Sequence, residues 1–209
     1  MGGPELTRGE QTRQEILNAA KKLFLAQGYT ATSMRQIARA VGITPAAIYN
    51  HFPGKDEIFV SALQEAAPYD ELFALMHGME ADTPEELLRQ MLRGAIELVA
   101  AHQDYLRLVL IDTQERDGAT LAGFLPQILP RARELHDRLV ALDAVQGRLR
   151  EIPFLGFVRT LVSLIVGFAI TERMVRAVPL FKLSDTDWPQ ALADIFVHGV
   201  LNRDASEGA

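Results

Sequence analysis

The segment SMRQIARAVGITPAAIYNHF, residues 33–52, constrains the fold of this chain more than any other. Ser33 followed by Gln36 has the spacing of a capping box and opens a short helix. Gly42 closes it. Thr44 as N-cap with Pro45 at the first helical position opens a second helix. Two helices this short hold together only by packing at a tight turn. Ala38, Gly42 and Ile48 stand where a helix-turn-helix needs them. Ala38 is small because the second helix crosses closely over it. Gly42 permits a left-handed backbone. Ile37, Val41, Ile43 and Ile48 are expected to share a core with Leu23 and Phe24 of a preceding helix, whose apolar residues recur at helical spacing up to Gly28.

The face left over suits a DNA major groove. Thr44, Pro45, Ala46, Tyr49 and Asn50 point outward. Small residues at the helix start allow close approach to the bases, and Ala46 or Ala47 can meet a thymine methyl. Arg35, Thr44, Tyr49 and Lys55 are expected to reach phosphates from the flanks. Lys55 also begins a fourth helix, so its charge and that helix's amides could act on one phosphate. Tyr49 could instead pack in the three-helix core; phosphate contact is the preferred reading. For His51, core packing outweighs base reading, although it lies on the same edge.

Charge supports the division of labour. The 209 residues carry 21 basic and 27 acidic side chains, a net charge of −6. A uniformly basic nucleic-acid coat is thereby excluded. Between Thr7 and Lys55, however, seven basic residues face two acidic ones, a net of +5, and residues 56–209 carry −10. A basic module on an acidic body suggests two jobs. There are no cysteines, which excludes thiolate catalysis, disulfides and thiolate metal sites. His77, His102, His136 and His198 lack metal-ligand spacing, so no metal or other cofactor is expected. The first 15 residues, MGGPELTRGEQTRQE, lack an apolar signal core, and Leu6 breaks the myristoylation pattern. The most apolar stretch, residues 152–170, is interrupted by Arg159. Its uncharged run, Thr160 to Thr171, spans 12 residues, where a spanning helix needs about 20. No membrane partner and a cytoplasmic location are expected.

The stretch GYTATSMRQIARAVGITPAAIYNHFPGKDEIF, residues 28–59, strongly resembles the TetR/AcrR family of bacterial transcriptional regulators. The matching features are Gly28-Tyr29, Thr32-Ser33, Ile37-Ala38, Val41-Gly42-Ile43, Ile48 to Phe52, and Lys55-Asp56-Glu57. The resemblance is dense over residues 12–60; the remainder fits by helix content and length. It implies an all-α chain with a flexible arm at 1–10, a three-helix DNA-binding domain at 11–55, and a larger helical effector-binding and dimerisation domain at 56–209.

The residues of the body agree in part. Helices are read from Thr83-Pro84, from about Asp104 to Glu115, as one or two between Thr120 and Val145, from about Pro153 to Ala177, and from Trp188 after an Asp185–Asp187 cap. YLRLVLI, residues 105–111, could pass as a buried strand but lacks a strand partner. The helix from Pro153 is too apolar for a monomer surface, and the small residues Ser163 and Gly167 stand four apart. With the last helix, including Trp188 and Phe196, it could form a four-helix seam with a second copy; burial within one chain is the alternative. Met91, Tyr105, Arg107, Ile111, Asp112, Phe124, Ile128, Phe157, Phe168 and Thr171 are candidates for a cavity taking a small, mainly apolar effector. Plain core packing is the competing reading for most of them.

These readings converge on a homodimeric, ligand-responsive regulator, a repressor by expectation, that binds a palindromic double-stranded DNA operator. A helical enzyme is the first alternative, but HExxH, GxSxG, P-loop and GxGxxG motifs are absent from their required contexts. A helix-turn-helix protein that no longer reads DNA is the second; the intact surface from Thr44 to Lys55 argues against it.

Overall fold

A computed structural model describes residues 7–141, 150–176 and 187–201. Its elements are α1 (Arg8–Gln27), α2 (Met34–Val41), α3 (Pro45–Ile48), α4 (Lys55–Ala66), α5 (Tyr69–His77), α6 (Pro84–Ala101), α7 (Gln103–Glu115), α8 (Ala119–Ala141), α9 (Phe154–Arg176) and α10 (Trp188–Val200). Among the described residues there is no strand, and the stretch 105–111 is helical within α7. The expected all-α fold stands.

Caps set the boundaries of the N-terminal helices. The Thr7 hydroxyl accepts from Glu10 N at 3.3 Å, and the Thr7 amide donates to Glu10 Oε2 at 2.7 Å. This capping box starts α1 at Arg8. The expected flexible arm at 1–10 is corrected accordingly: residues 8–10 are the first turn of a helix, and 1–6 lie outside the described residues. Ser33 and Gln36 repeat the device for α2. Gly42, with φ of 80°, turns the chain in the left-handed region at the end of α2. Proline cannot donate a helical hydrogen bond, and α4 ends just before Pro68.

The body departs from the sequence reading at one helix. Tyr69–His77 forms a helix of its own, which the sequence reading lacks. Of the one or two helices expected between Thr120 and Val145, α8 is a single one, running unbroken through Pro126 and Pro130. α9 begins at Phe154, within one residue of its expected start, while Ala177 and the Asp185 part of the expected cap lie outside the described residues. Asp187 does cap α10, accepting from Gln190 N at 3.1 Å.

The chain folds into two compact units, Met1–Ala67 with His102–Leu125 and Pro68–Ala101 with Pro126–Ala209. In the first, Ile16, Ala20 and Phe24 of α1 are fully buried with Ile37 and Ala38 of α2, Ile48 of α3, Phe52, and Ile58, Phe59 and Leu63 of α4. α7 belongs to this unit, packing on α1 and α4 with Leu108 fully buried. In the second, α6 packs against α9 and α10. Leu88, Leu92, Ala95 and Ile96 meet Phe157, Phe196, Val197 and Val200 there. The compact units therefore divide the chain elsewhere than at the 55/56 boundary expected from sequence.

Candidate nucleic-acid interface

The helix-turn-helix presents one solvent face. Arg35, Arg39, Thr44, Pro45, Ala46, Tyr49 and Asn50 are exposed, while Ala47 and His51 are half-buried. Tyr49 is 56% exposed, so it does not pack in the three-helix core. Ile48 and Phe52, on the opposite side, are fully buried. Thr44 Oγ1 accepts from Ala47 N at 3.1 Å. Its oxygen thus caps α3, and its hydroxyl hydrogen remains available to a phosphate.

α3 has a single regular turn, so its far end needs external support. Arg13 of α1 supplies it. Its guanidinium stands 3.9 Å from the Phe52 ring centroid and donates to the His51 carbonyl at 3.1 Å. A charge-assisted bond here anchors the residues just beyond Ile48. No local sequence pattern marks Arg13 for this role, because 38 residues separate it from its partner.

Lys55 departs from the expected phosphate role. Its Nζ donates to the Tyr29 carbonyl at 2.7 Å and lies 4.0 Å from the Tyr29 ring centroid. Burial lowers its pKa from the usual lysine value. The ammonium is turned back into the protein. Beside it, Tyr29 Oη donates to Asp56 Oδ1 at 2.8 Å, and Arg116, the C-cap of α7, pairs with the same carboxylate. The hydrogen bonds from Arg116 first, then Tyr29, hold the Asp56 carboxyl below its ordinary pKa. The Tyr29 hydroxyl is pushed up by burial and by Asp56.

The candidate effector residues fall in both units. Asp112 is fully buried in the first unit, accepting from the Thr120 amide at 3.3 Å and the Leu121 amide at 3.1 Å. Arg107 donates to the Leu25 carbonyl at 2.6 Å. Both are thus committed to the structure of that unit, which also contains Tyr105, Ile111 and the buried Phe124. Met91, Ile128, Phe157, Phe168 and Thr171 belong to the second unit. There Phe157 is core, packed 5.7 Å from Phe196 between ring centroids, and Ile128 is half-buried. Met91 lines a cavity of about 220 Å³ with Met76, Met79, Leu87 and Leu135; His77 and Arg138 are its basic members. Phe168 and Thr171 line a separate groove along α9 and α10 with Ser163, Gly167 and Trp188.

That groove joins residues expected at a subunit seam. Ser163, Gly167 and Trp188 are exposed. Phe196 is corrected: it is 4% exposed, drawn into the core by Phe157, and the outward residue beside it is Ile195, 66% exposed.

Residues 16–62 match the family model for bacterial regulatory proteins of the tetR family. The HTH-type transcriptional repressor BepR of Brucella suis biovar 1 (strain 1330) is 29% identical over 133 residues, covering 63% of this chain and 62% of BepR. The HTH-type transcriptional regulator TcmR of Streptomyces glaucescens is 31% identical over 160 residues, covering 69% of this chain and 65% of TcmR. The chain thus spans slightly less than two thirds of the length of either curated relative. Native NalD of Pseudomonas aeruginosa, the secondary repressor of the MexAB-OprM multidrug efflux pump, superposes with a TM-score of 0.68 at 29% identity. That match covers 94% of this chain and 99% of NalD.

Proposed function

Because the chain belongs to the TetR/AcrR family of bacterial transcriptional regulators, we propose that it is a cytoplasmic repressor that binds a palindromic operator as a homodimer and responds to a small, mainly apolar effector. The observation that carries the DNA-binding reading is the exposed face from Thr44 to Asn50, raised on a fully buried Ile48 and Phe52 and flanked by Arg35 and Arg39. Phosphate contacts from Arg35, Thr44 and Tyr49 would set register, and the start of α3 would meet base edges. Repression is supported by the description of BepR and NalD as repressors.

The dimer reading rests on α9. Residues 154–175 include a window of mean hydropathy 2.0, only 11% of which is buried. Leu155, Val162 and Met174 are 63%, 51% and 64% exposed. An apolar face of this kind calls for a partner, and two-fold pairing is what a palindromic site requires. By length and composition α9 could cross a membrane; pairing with a second copy is preferred because Arg159 interrupts it and α6 packs against it.

For the effector, this reading favours the methionine-lined cavity around Met91, one of the residues expected from sequence. Methionine side chains adapt to irregular apolar shapes. Selection of bound DNA from a random pool tests the core of the proposal. A symmetric motif that Tyr49→Ala binds less tightly is expected; no enriched motif would refute the reading.

A further inference from the structure

The helix-turn-helix is held at both ends by residues far away in sequence. Its entry is the loop Gly28–Ser33. The Thr30 amide donates to Glu115 Oε2 at 2.6 Å. Gly28, with φ of 84°, turns the chain there, and a Cβ at this position would run into the Glu115 carboxylate. Its exit is the first turn of α4. There Arg116 pairs with Asp56 and stands 4.4 Å from the Tyr29 ring centroid. Arg116 is itself aimed by the buried Asp112, whose Oδ1 accepts from Nε at 3.3 Å. Two consecutive residues at the end of α7 therefore grip the segments that lead into α2 and out of α3.

We propose that Glu115 and Arg116 are positioning residues of the DNA-reading head, fixing α2 and α3 by holding the Tyr29–Thr30 loop and the start of α4 without touching DNA themselves. This rests on the DNA-binding reading above. The functional head is then residues 7–67 with α7, and a change arriving in α7 reaches the DNA face through these contacts.

Charge and positioning predict opposite outcomes, which makes the inference testable. Glu115 carries the same sign as DNA, so its neutralisation by itself strengthens attraction to phosphates. Loss of the loop's acceptor loosens the head and weakens the ordered complex. The experiment uses the full chain and the DNA motif that the wild type selects from a random pool, with affinity measured across a salt series. Glu115→Ala is expected to bind that motif about three- to tenfold more weakly, the range for an exposed, charge-assisted hydrogen bond. Its affinity for unselected DNA should not fall, because the loss is confined to the ordered complex, and the Thr30 amide should exchange faster. Glu115→Gln keeps an acceptor for the Thr30 amide and should recover most of the loss. Arg116→Lys keeps the charge but loses the planar fork, and should weaken motif binding likewise. Wild-type or tighter binding by Glu115→Ala overturns the inference, as does an equal loss in Glu115→Gln. Should Glu115→Ala not fold, Glu115→Gln and Arg116→Lys decide: near-wild-type binding by the first with weakened binding by the second supports positioning, and any other pattern overturns it. A wild type that selects no motif overturns both this inference and the reading beneath it.

Discussion

Arg35 and Lys55 carry the same charge in one small module and stand in different chemistry. Arg35 is exposed, whereas the Lys55 ammonium is bonded to the Tyr29 carbonyl and covered by its ring. Arg35→Ala should weaken binding to all DNA alike and reduce the salt slope by about 1 per phosphate contact, hence about 2 for a dimer. Lys55→Ala should reduce the slope by less, because its charge is committed within the protein; anisotropy titrations from low to moderate salt separate the two. Asp56 and Glu115 make a second residue-scale prediction. Hydrogen bonds lower the pKa of both in the folded state, from Arg116 and Tyr29 to Asp56 and from the Thr30 amide to Glu115. A depressed carboxyl contributes stability that is present above its unfolded pKa, about 4, and is lost as pH falls through the lower folded value. Acidification below about pH 4 should therefore loosen the Tyr29–Asp56 cluster. Asp56→Asn should show a shallower acid dependence in thermal melts than the wild type.

At the scale of elements, α2 and α3 owe their existence to caps and to neighbours rather than to helix propensity. α3 has one regular turn, and Arg13 holds the residues beyond it at the His51 carbonyl. The turn between the two helices depends on Gly42, whose φ is 80° with open space where a Cβ would go. Gly42→Ala should therefore cost only the left-handed backbone penalty, about 1–2 kcal/mol, measurable as a lower melting temperature. The capping residues Ser33 and Thr44 were legible because a cap lies within three residues of its target, whereas Thr7, which caps α1, fell in the stretch expected to be a flexible arm. α5 was not: YDELFALMH offers no cap, and its burial of Phe73 and Met76 depends on what packs over them. Adjacent residues of α10 separate core from surface. Phe196→Ala should destabilise the chain by about 3–5 kcal/mol and leave self-association of the folded fraction unchanged. Ile195→Asp should do the reverse, and sedimentation beside calorimetry distinguishes the two effects.

At the scale of the whole molecule, the apolar face of α9 asks for a second copy. Val162→Asp places a charge on that face and should yield monomers at micromolar concentration, with operator affinity falling because two half-sites are no longer bound together. A variant that sediments like a dimeric wild type would remove α9 from the seam. The sequence by itself determined most of the helices, the caps at Ser33, Thr44 and Asp187, the helix-turn-helix and its outward face, since these arise from periodicity and from contacts within a few residues. It also determined that the basic charge gathers before residue 56. Only the tertiary structure decided that α7 joins the DNA-reading unit, that Lys55 is drawn back onto Tyr29, that Arg13 supports the end of α3, and that Phe196 is core while Ile195 is exposed. Each of these depends on partners brought together from distant parts of the chain, Asp56 and Arg116 being 60 residues apart and Thr30 and Glu115 being 85 apart. No local pattern encodes such a pair, because the free energy that selects it arises only once the helices have packed.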